Sequence, residues 1–300
     1  MAALQSLGQH PVHIPRDRYS NASDFLRALE GLDARRIPVI AGPLDLALSL
    51  TGTAERLVLL SWGFDLQEAP PNLNLEPFHA VIVDSFANQE IARAASARRI
   101  IKIPWGVDLR AIDSTTSIAD LSDYGVDPIE RVVLSLRAHE PRYRVFDIIE
   151  AFARRPRAAR LVIGNSGSIT PELRHLTQEL NVDAVFLPAV SEQKVPLLLR
   201  RADAYITASE VDGTSVTLLQ AMACHVPVVA SANAGNVDWV DDGVTGFLFP
   251  IADIGALDDA INRALDPDHD VTVSARRLVE ESADWQRNIH VLPPMLQNLD

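Results

Sequence analysis

The stretch from Asp212 to Ser231 reads DGTSVTLLQAMACHVPVVAS. It has three parts. Asp212-Gly213-Thr214-Ser215 is a tight polar turn. Val216 to Cys224 is an apolar run of helical character, interrupted by Thr217 and Gln220. Val226 to Ala230 is β-branched and ends at Ser231. A loop, a helix and a buried strand in that order make half of a parallel α/β unit. The turn lies where the helix begins, so free backbone N–H groups and the helix dipole favour an anion there. A phosphate is the expected occupant.

The same alternation extends outward on both sides. Upstream, strands are predicted at Val132 to Leu136, Leu161 to Ile163, Ala184 to Leu187 and Ala204 to Thr207. Helices fall between them at Val145 to Phe152, Thr170 to Leu180 and Val195 to Arg200. Pro171 suits the first position of its helix. Downstream, Ile254 to Ala264 and Ser274 to Val279 read as helices. A last one near Ala283 to Ile289 is expected to stop at Pro293-Pro294.

Residues 113–130 are polar, carry Ser, Thr, Asp and Pro, and read as a linker. Before them a first α/β series occupies residues 1–112. Ala2 to Leu7 reads as a helix end capped at Gly8, and Val12 to Ile14 as a strand. Ala22 to Leu32, Leu44 to Leu50 and Ala87 to Ala97 read as helices. Ile37 to Ala41, Leu57 to Ser61, Ala80 to Ser85 and Ile100 to Ile103 read as strands. The usual opening strand and Gly-rich loop of a doubly wound domain are not seen, so this half reads as reduced. The expected architecture is therefore two Rossmann-like doubly wound domains, 1–112 and 131–284, facing a cleft. Residues 285–300 are expected to return to the first domain.

With 47% hydrophobic and 22% charged residues, the 300-residue chain is globular in composition. The net charge of −13 disfavours nucleic acid as a partner and electrostatic docking on anionic lipid. No apolar run reaches the roughly 18 residues of a membrane span. No secretory signal is read either, and a cytoplasmic location is expected. The lone Cys224 excludes an internal disulfide framework, and the eight His show no metal-ligand spacing. Lysine occurs only at 102 and 194, so a phosphate clamp would use Arg.

Four loops of the second domain leave strand carboxyl ends, where open α/β sheets bind ligands. Arg137 to Arg144, RAHEPRYR, offers Arg137, Arg142 and Arg144 as diphosphate ligands; an exposed basic loop beside Glu140 is the plainer account. Gly164-Asn165-Ser166-Gly167 is compact enough for a ligand to approach the backbone. Leu187-Pro188-Ala189 is apolar and could wall a flat base, with an ordinary loop the plainer account. The Gly213-Thr214-Ser215 turn is the phosphate cradle, and an N-capped core helix is compatible with it. Thr217, Gln220 and Cys224 share a helical face. A structural hydrogen bond is the plainer account of Gln220, and core packing that of Cys224. Glu210 and Asp212 are the acid candidates.

An ordered set of motifs carries a resemblance: Ser135-Leu136-Arg137, Leu161-Val162-Ile163-Gly164, Arg201-Ala202-Asp203-Ala204-Tyr205, Ser209 to Ser215, Leu219 to Cys224, Val226 to Ser231, and Asp242-Gly243-Val244-Thr245-Gly246. The second domain resembles a retaining glycosyltransferase of family four, with the GT-B fold. In the first domain Trp62 to Asp65 is similar to the family's acceptor-side loop. The resemblance implies transfer of a sugar, with retention, from a nucleotide-diphosphate sugar to an acceptor hydroxyl on a saccharide, lipid-linked glycan or small molecule, with no metal or other cofactor. The family's signature, a Glu, seven residues and a second Glu, falls here on Asp212 and Gln220. Asp212 would face the donor sugar and, with Arg137, serve catalysis; Gln220 would hold the ribose. A non-catalytic homologue that scaffolds a partner enzyme is the alternative.

Overall fold

Short β-branched and aliphatic runs form the strands, and amphipathic stretches between them form the helices. The structure, a computed structural model, describes residues 38–298 except Thr53, Trp62, Trp105, residues 155–158 and His269. The elements predicted over residues 1–32 lie outside the described residues, as does Trp62. The chain divides into two units: Met1–Trp105 with Trp285–Asp300, and Gly106–Asp284.

In the first unit, strands β1 (Val39–Ala41), β2 (Leu57–Leu60), β3 (Ala80–Val83) and β4 (Ile100–Lys102) form a parallel sheet in that order. Helices α1 (Leu44–Ser49) and α2 (Phe86–Ala94) lie between strands. The Ser85 hydroxyl caps α2 by accepting from Asn88 N at 3.2 Å. Leu44, Leu66, Leu75 and Phe78 form one buried cluster with Leu57, Leu59, Val81 and Val83. Val58, Ala80 and Ile82 form another with Met295, from the end of the chain. Successive strand residues face opposite sides, so the two clusters cover the two faces of the sheet.

The second unit starts with α3 (Leu109–Ser114). It continues as β5 (Val132–Ser135), α4 (Val145–Ala153), β6 (Arg160–Ile163), α5 (Thr170–Glu179), β7 (Ala184–Phe186), α6 (Val195–Arg201) and β8 (Ala204–Thr207). Then come α7 (Val216–Ala223), β9 (Val228–Ser231), β10 (Phe247–Phe249), α8 (Ile254–Leu265) and α9 (Val271–Ser282). All six strands are parallel, in the order β10-β9-β8-β5-β6-β7. From β5 the chain moves outward to β7, then crosses back to β8 and continues in the other direction. The order reverses between β5 and β8. That reversal opens a crevice at the strand carboxyl ends, the preferred ligand site of a doubly wound sheet.

Two expectations are corrected. Residues 113–130 are not a linker. Val107 bridges to Asp284, and Ile112, Leu121 and Val126 are buried in one cluster with Leu218 and Met222 of α7. A few apolar residues anchor a segment that is otherwise polar, and the division falls at 105/106 instead. Nor do Pro293-Pro294 end a helix. After α10 (Trp285–Asn288) they open α11 (Leu292–Gln297), in whose first turn a missing N–H costs nothing. Strand β10 had no counterpart in the sequence reading.

Candidate active site

Arg137 leaves the carboxyl end of β5, and Ser209 to Asp212 leave that of β8, so the two loops meet at the switch point. Arg137 Nη2 donates to Asp212 Oδ2 at 2.7 Å and Nη1 donates to Ser215 Oγ at 2.9 Å. The Tyr143 ring lies against the guanidinium, with its centroid 4.2 Å from Arg137 Cζ. Asp212 is only 7% exposed, and its Oδ1 accepts from Gly213 N at 3.0 Å. Burial pulls the Arg137 pKa down, but Asp212, Tyr205 and Tyr143 together outweigh it, and the guanidinium stays a cation. Tyr205, buried in β8, has its phenol pushed up to about 12, chiefly by burial, and is neutral.

Ser215 occupies the N-cap position of α7 with extended backbone but makes no side-chain cap bond. Its hydroxyl accepts from Arg137 instead, so the capped-helix reading is corrected. With the buried Gly213 and Thr214, it places a turn against the start of α7 beside a cation. Free N–H groups at a helix start and a neighbouring guanidinium are the features that suit an anion.

The other predicted residues fall as follows. Glu210 N donates to Arg142 O at 2.8 Å, tying the two switch-point loops together. Arg142 is half-buried. Arg144 has a left-handed backbone (φ 47°, ψ 41°), and its guanidinium grips Asp147 through two bonds of 2.7 and 3.1 Å. That bond to Asp147 raises its pKa, and Arg144 braces its own loop. Gly164 packs where a Cβ would meet Leu136 Cδ2 at 2.5 Å, so a side chain is excluded by neighbouring protein atoms. Asn165 Nδ2 donates to Leu136 O at 2.8 Å across the same strand ends. Leu187, 5% exposed, belongs to the hydrophobic core and offers little surface to a base; the expected wall is corrected. Gln220 is half-buried on α7. The Cys224 thiol is pushed up to about 11, chiefly by burial, which removes it as a nucleophile.

A further loop was not foreseen. After β9, Asn233 Nδ2 donates to Ser209 O at 2.9 Å, and Asn233 Oδ1 accepts from Gly235 N and Asn236 N at 3.0 and 2.9 Å. Asn236 Nδ2 donates to Ser231 O at 2.9 Å, and Ser231 Oγ to Ser209 O at 2.6 Å. This network seats Gly235 directly against the Asp212-Gly213 backbone. The available signal was the run Ser231-Ala-Asn-Ala-Gly-Asn236, small and amide residues directly after a strand.

In the first unit, the loop read as acceptor-side is braced by carboxylates. Asp65 accepts from Ser61 Oγ at 2.5 Å, Leu66 N at 2.8 Å and Leu44 N at 3.0 Å. Burial pushes its pKa up. Asp84 accepts from Gly63 N at 3.0 Å and Asn88 Nδ2 at 2.9 Å. Among the described residues, no group of three or more His, Cys, Asp or Glu is placed to hold a metal, and no helix is long and apolar enough to cross a membrane.

A family comparison matches residues 119–285 to glycosyl transferases group 1, more than half of the chain. The chain belongs to the glycosyl transferases group 1 family. This membership replaces the assignment to family four made from motifs, because the profile that matches the second unit is that of group 1. D-inositol 3-phosphate glycosyltransferases of Mycobacterium tuberculosis and Mycobacterium bovis are 32% identical over 192 residues. That region is 62% of this chain and 40% of theirs, so the match spans well under half the length of these relatives. Among solved structures, Anabaena HepE in complex with UDP has a TM-score of 0.77 at 18% identity, covering 91% of this chain and 82% of that one. Sucrose-phosphate synthase from Thermosynechococcus elongatus has a TM-score of 0.77 at 22% identity, covering 96% and 80%. The fold is thus the GT-B class, built of two Rossmann-like α/β units.

Proposed function

We propose that this group 1 family member transfers a sugar from a nucleoside diphosphate sugar to an acceptor hydroxyl. The observation that carries the reading is Arg137, which meets Asp212 and Ser215 at the β5/β8 switch point. A guanidinium has five N–H donors in one plane, more than the two bonds Arg137 makes to these partners. With the N–H groups at the start of α7, it would hold the diphosphate and stabilise the charge that grows on it as the bond to the sugar breaks. The acceptor oxygen bonds to the anomeric carbon, the diphosphate leaves with the bonding electrons, and the hydroxyl proton passes to the leaving group. Asp212, bonded to Arg137, would fix that cation and lie beside the donor sugar. UDP is the first ligand to test, since it is the nucleotide bound in the HepE structure of like fold.

Calorimetry with UDP, GDP and ADP tests the reading. Saturable binding of at least one is expected, and Arg137→Ala should weaken it at least about ten-fold, the worth of a hydrogen bond to a charged group. No binding of any of the three at millimolar concentration would sink the proposal. A non-catalytic homologue is the second reading, favoured by Gln220, whose neutral amide would hold a ribose hydroxyl less strongly than a carboxylate. Slow hydrolysis of a bound UDP-sugar decides for the enzyme.

A further inference from the structure

We infer that Tyr143 is a positioning residue that fixes the tilt of the Arg137 guanidinium toward a diphosphate. The inference rests on the donor-site reading above. Asp212 and Ser215 engage the two terminal nitrogens of Arg137, at 2.7 and 2.9 Å. Two anchors hold the terminal edge, and the tilt of the plane can still shift through the torsions of the side-chain stem. The Tyr143 ring, 4.2 Å away, bears on the face of the group and stops that motion. Stacking on a cation is attractive as well as steric. A diphosphate is recognised by N–H groups in the guanidinium plane, so tilt governs its affinity.

The ring and the turn that carries it are held by four contacts. Pro141 to Tyr143 form a 3-10 turn in which Tyr143 N donates to Glu140 O at 3.0 Å. The left-handed Arg144 ends that turn, and its bidentate grip on Asp147 locks the turn to α4. The ring packs on the cluster that contains Val145, Ile148 and Ile149. Finally, the bond from Glu210 N to Arg142 O joins this turn to the loop that carries Asp212. Tyr143 therefore sits on a rigid support.

The test compares Tyr143→Phe, Tyr143→Leu and Tyr143→Met in the full chain, titrated with UDP, inorganic pyrophosphate and uridine. Tyr143→Phe keeps the flat face and loses only the hydroxyl contact to Arg137, so it should bind all three within about two-fold of the wild type. Tyr143→Leu and Tyr143→Met keep apolar bulk and lose that face. Each should weaken UDP and pyrophosphate roughly five-fold, within the range of one cation–π contact, with uridine unchanged. If the Leu variant does not fold, the Met variant carries the comparison. The inference is overturned if Leu or Met binds UDP like the wild type, if uridine weakens in proportion, or if Phe loses as much as Leu. It is also overturned if only the Phe variant folds, which assigns the ring to packing. Wild-type protein that binds neither UDP, GDP nor ADP overturns the donor-site reading instead.

Discussion

Gly235 sits so close to the Asp212-Gly213 turn that a Cβ there would overlap Gly213 O and lie 2.7 Å from Asp212 O. Its φ of −83° is open to any residue, so contact and not backbone freedom requires glycine. Gly235→Ala must displace backbone, at a cost of about 2 kcal/mol by analogy with overpacked cores. A fall in melting temperature together with a loss of nucleotide affinity is expected; an unchanged melting temperature would show that the loop yields freely. Gln220 makes the opposite kind of case. An ionised acceptor makes hydrogen bonds roughly twice as strong as a neutral one. If α7 presents this side chain to a ribose, Gln220→Glu should tighten UDP binding by roughly three-fold in calorimetry. Equal affinity would take position 220 out of the site. Arg137 and Asp212 were legible as candidates because each follows a recognisable strand. Tyr143 and Gly235 were not: Tyr143 folds back on Arg137 within one loop, and Gly235 meets the Asp212-Gly213 backbone from another, and no local pattern announces either contact.

At the scale of elements, α7 is anchored at both ends by arginines. Arg137 holds its first turn through Ser215, and Arg276 of α9 donates to Ala223 O at 2.7 Å at its last. A cation is favourable at a helix C-terminus. Arg276 also grips Asp113 of α3 through bonds of 2.8 and 3.0 Å and bonds Glu280 at 2.7 Å. Arg276→Ala should lower stability by about 2 kcal/mol, read by chemical denaturation; a change near zero would mean that water replaces all three partners. The bond from Arg276 holds the Asp113 carboxyl below the usual carboxylate range. A carboxylate depressed in the folded state contributes stability above its unfolded pKa, and that contribution is lost as pH falls through the folded value. Since Asp113 is 55% exposed, the contribution is about 0.5 kcal/mol. Asp113→Asn should therefore lower stability slightly at pH 7 and not at pH 2. A gap between variant and wild type that persists unchanged to pH 2 would remove the ion pair as its source.

At the scale of the whole molecule, the end of the chain completes the first unit. Met295 is 3% exposed and packs on Val58, Ala80, Ile82 and Ile103, covering a face of the sheet that would otherwise meet water. Met295→Ala should destabilise that unit by about 3 kcal/mol, a typical loss for a buried large-to-small change. A separate, earlier unfolding transition in calorimetry is the expected sign, and a trace unchanged from wild type would show that α11 contributes nothing. The α/β class and the strand alternation followed from the sequence alone. Hydrophobic periodicity and helix-terminal chemistry are local, and neighbours in the chain suffice to encode them. The strand order that brings Arg137 beside Asp212, the burial of residues 113–130 and the seat of Gly235 were decided only by tertiary structure. These depend on which distant segments share a surface, and in a parallel sheet every pairing is a long-range one.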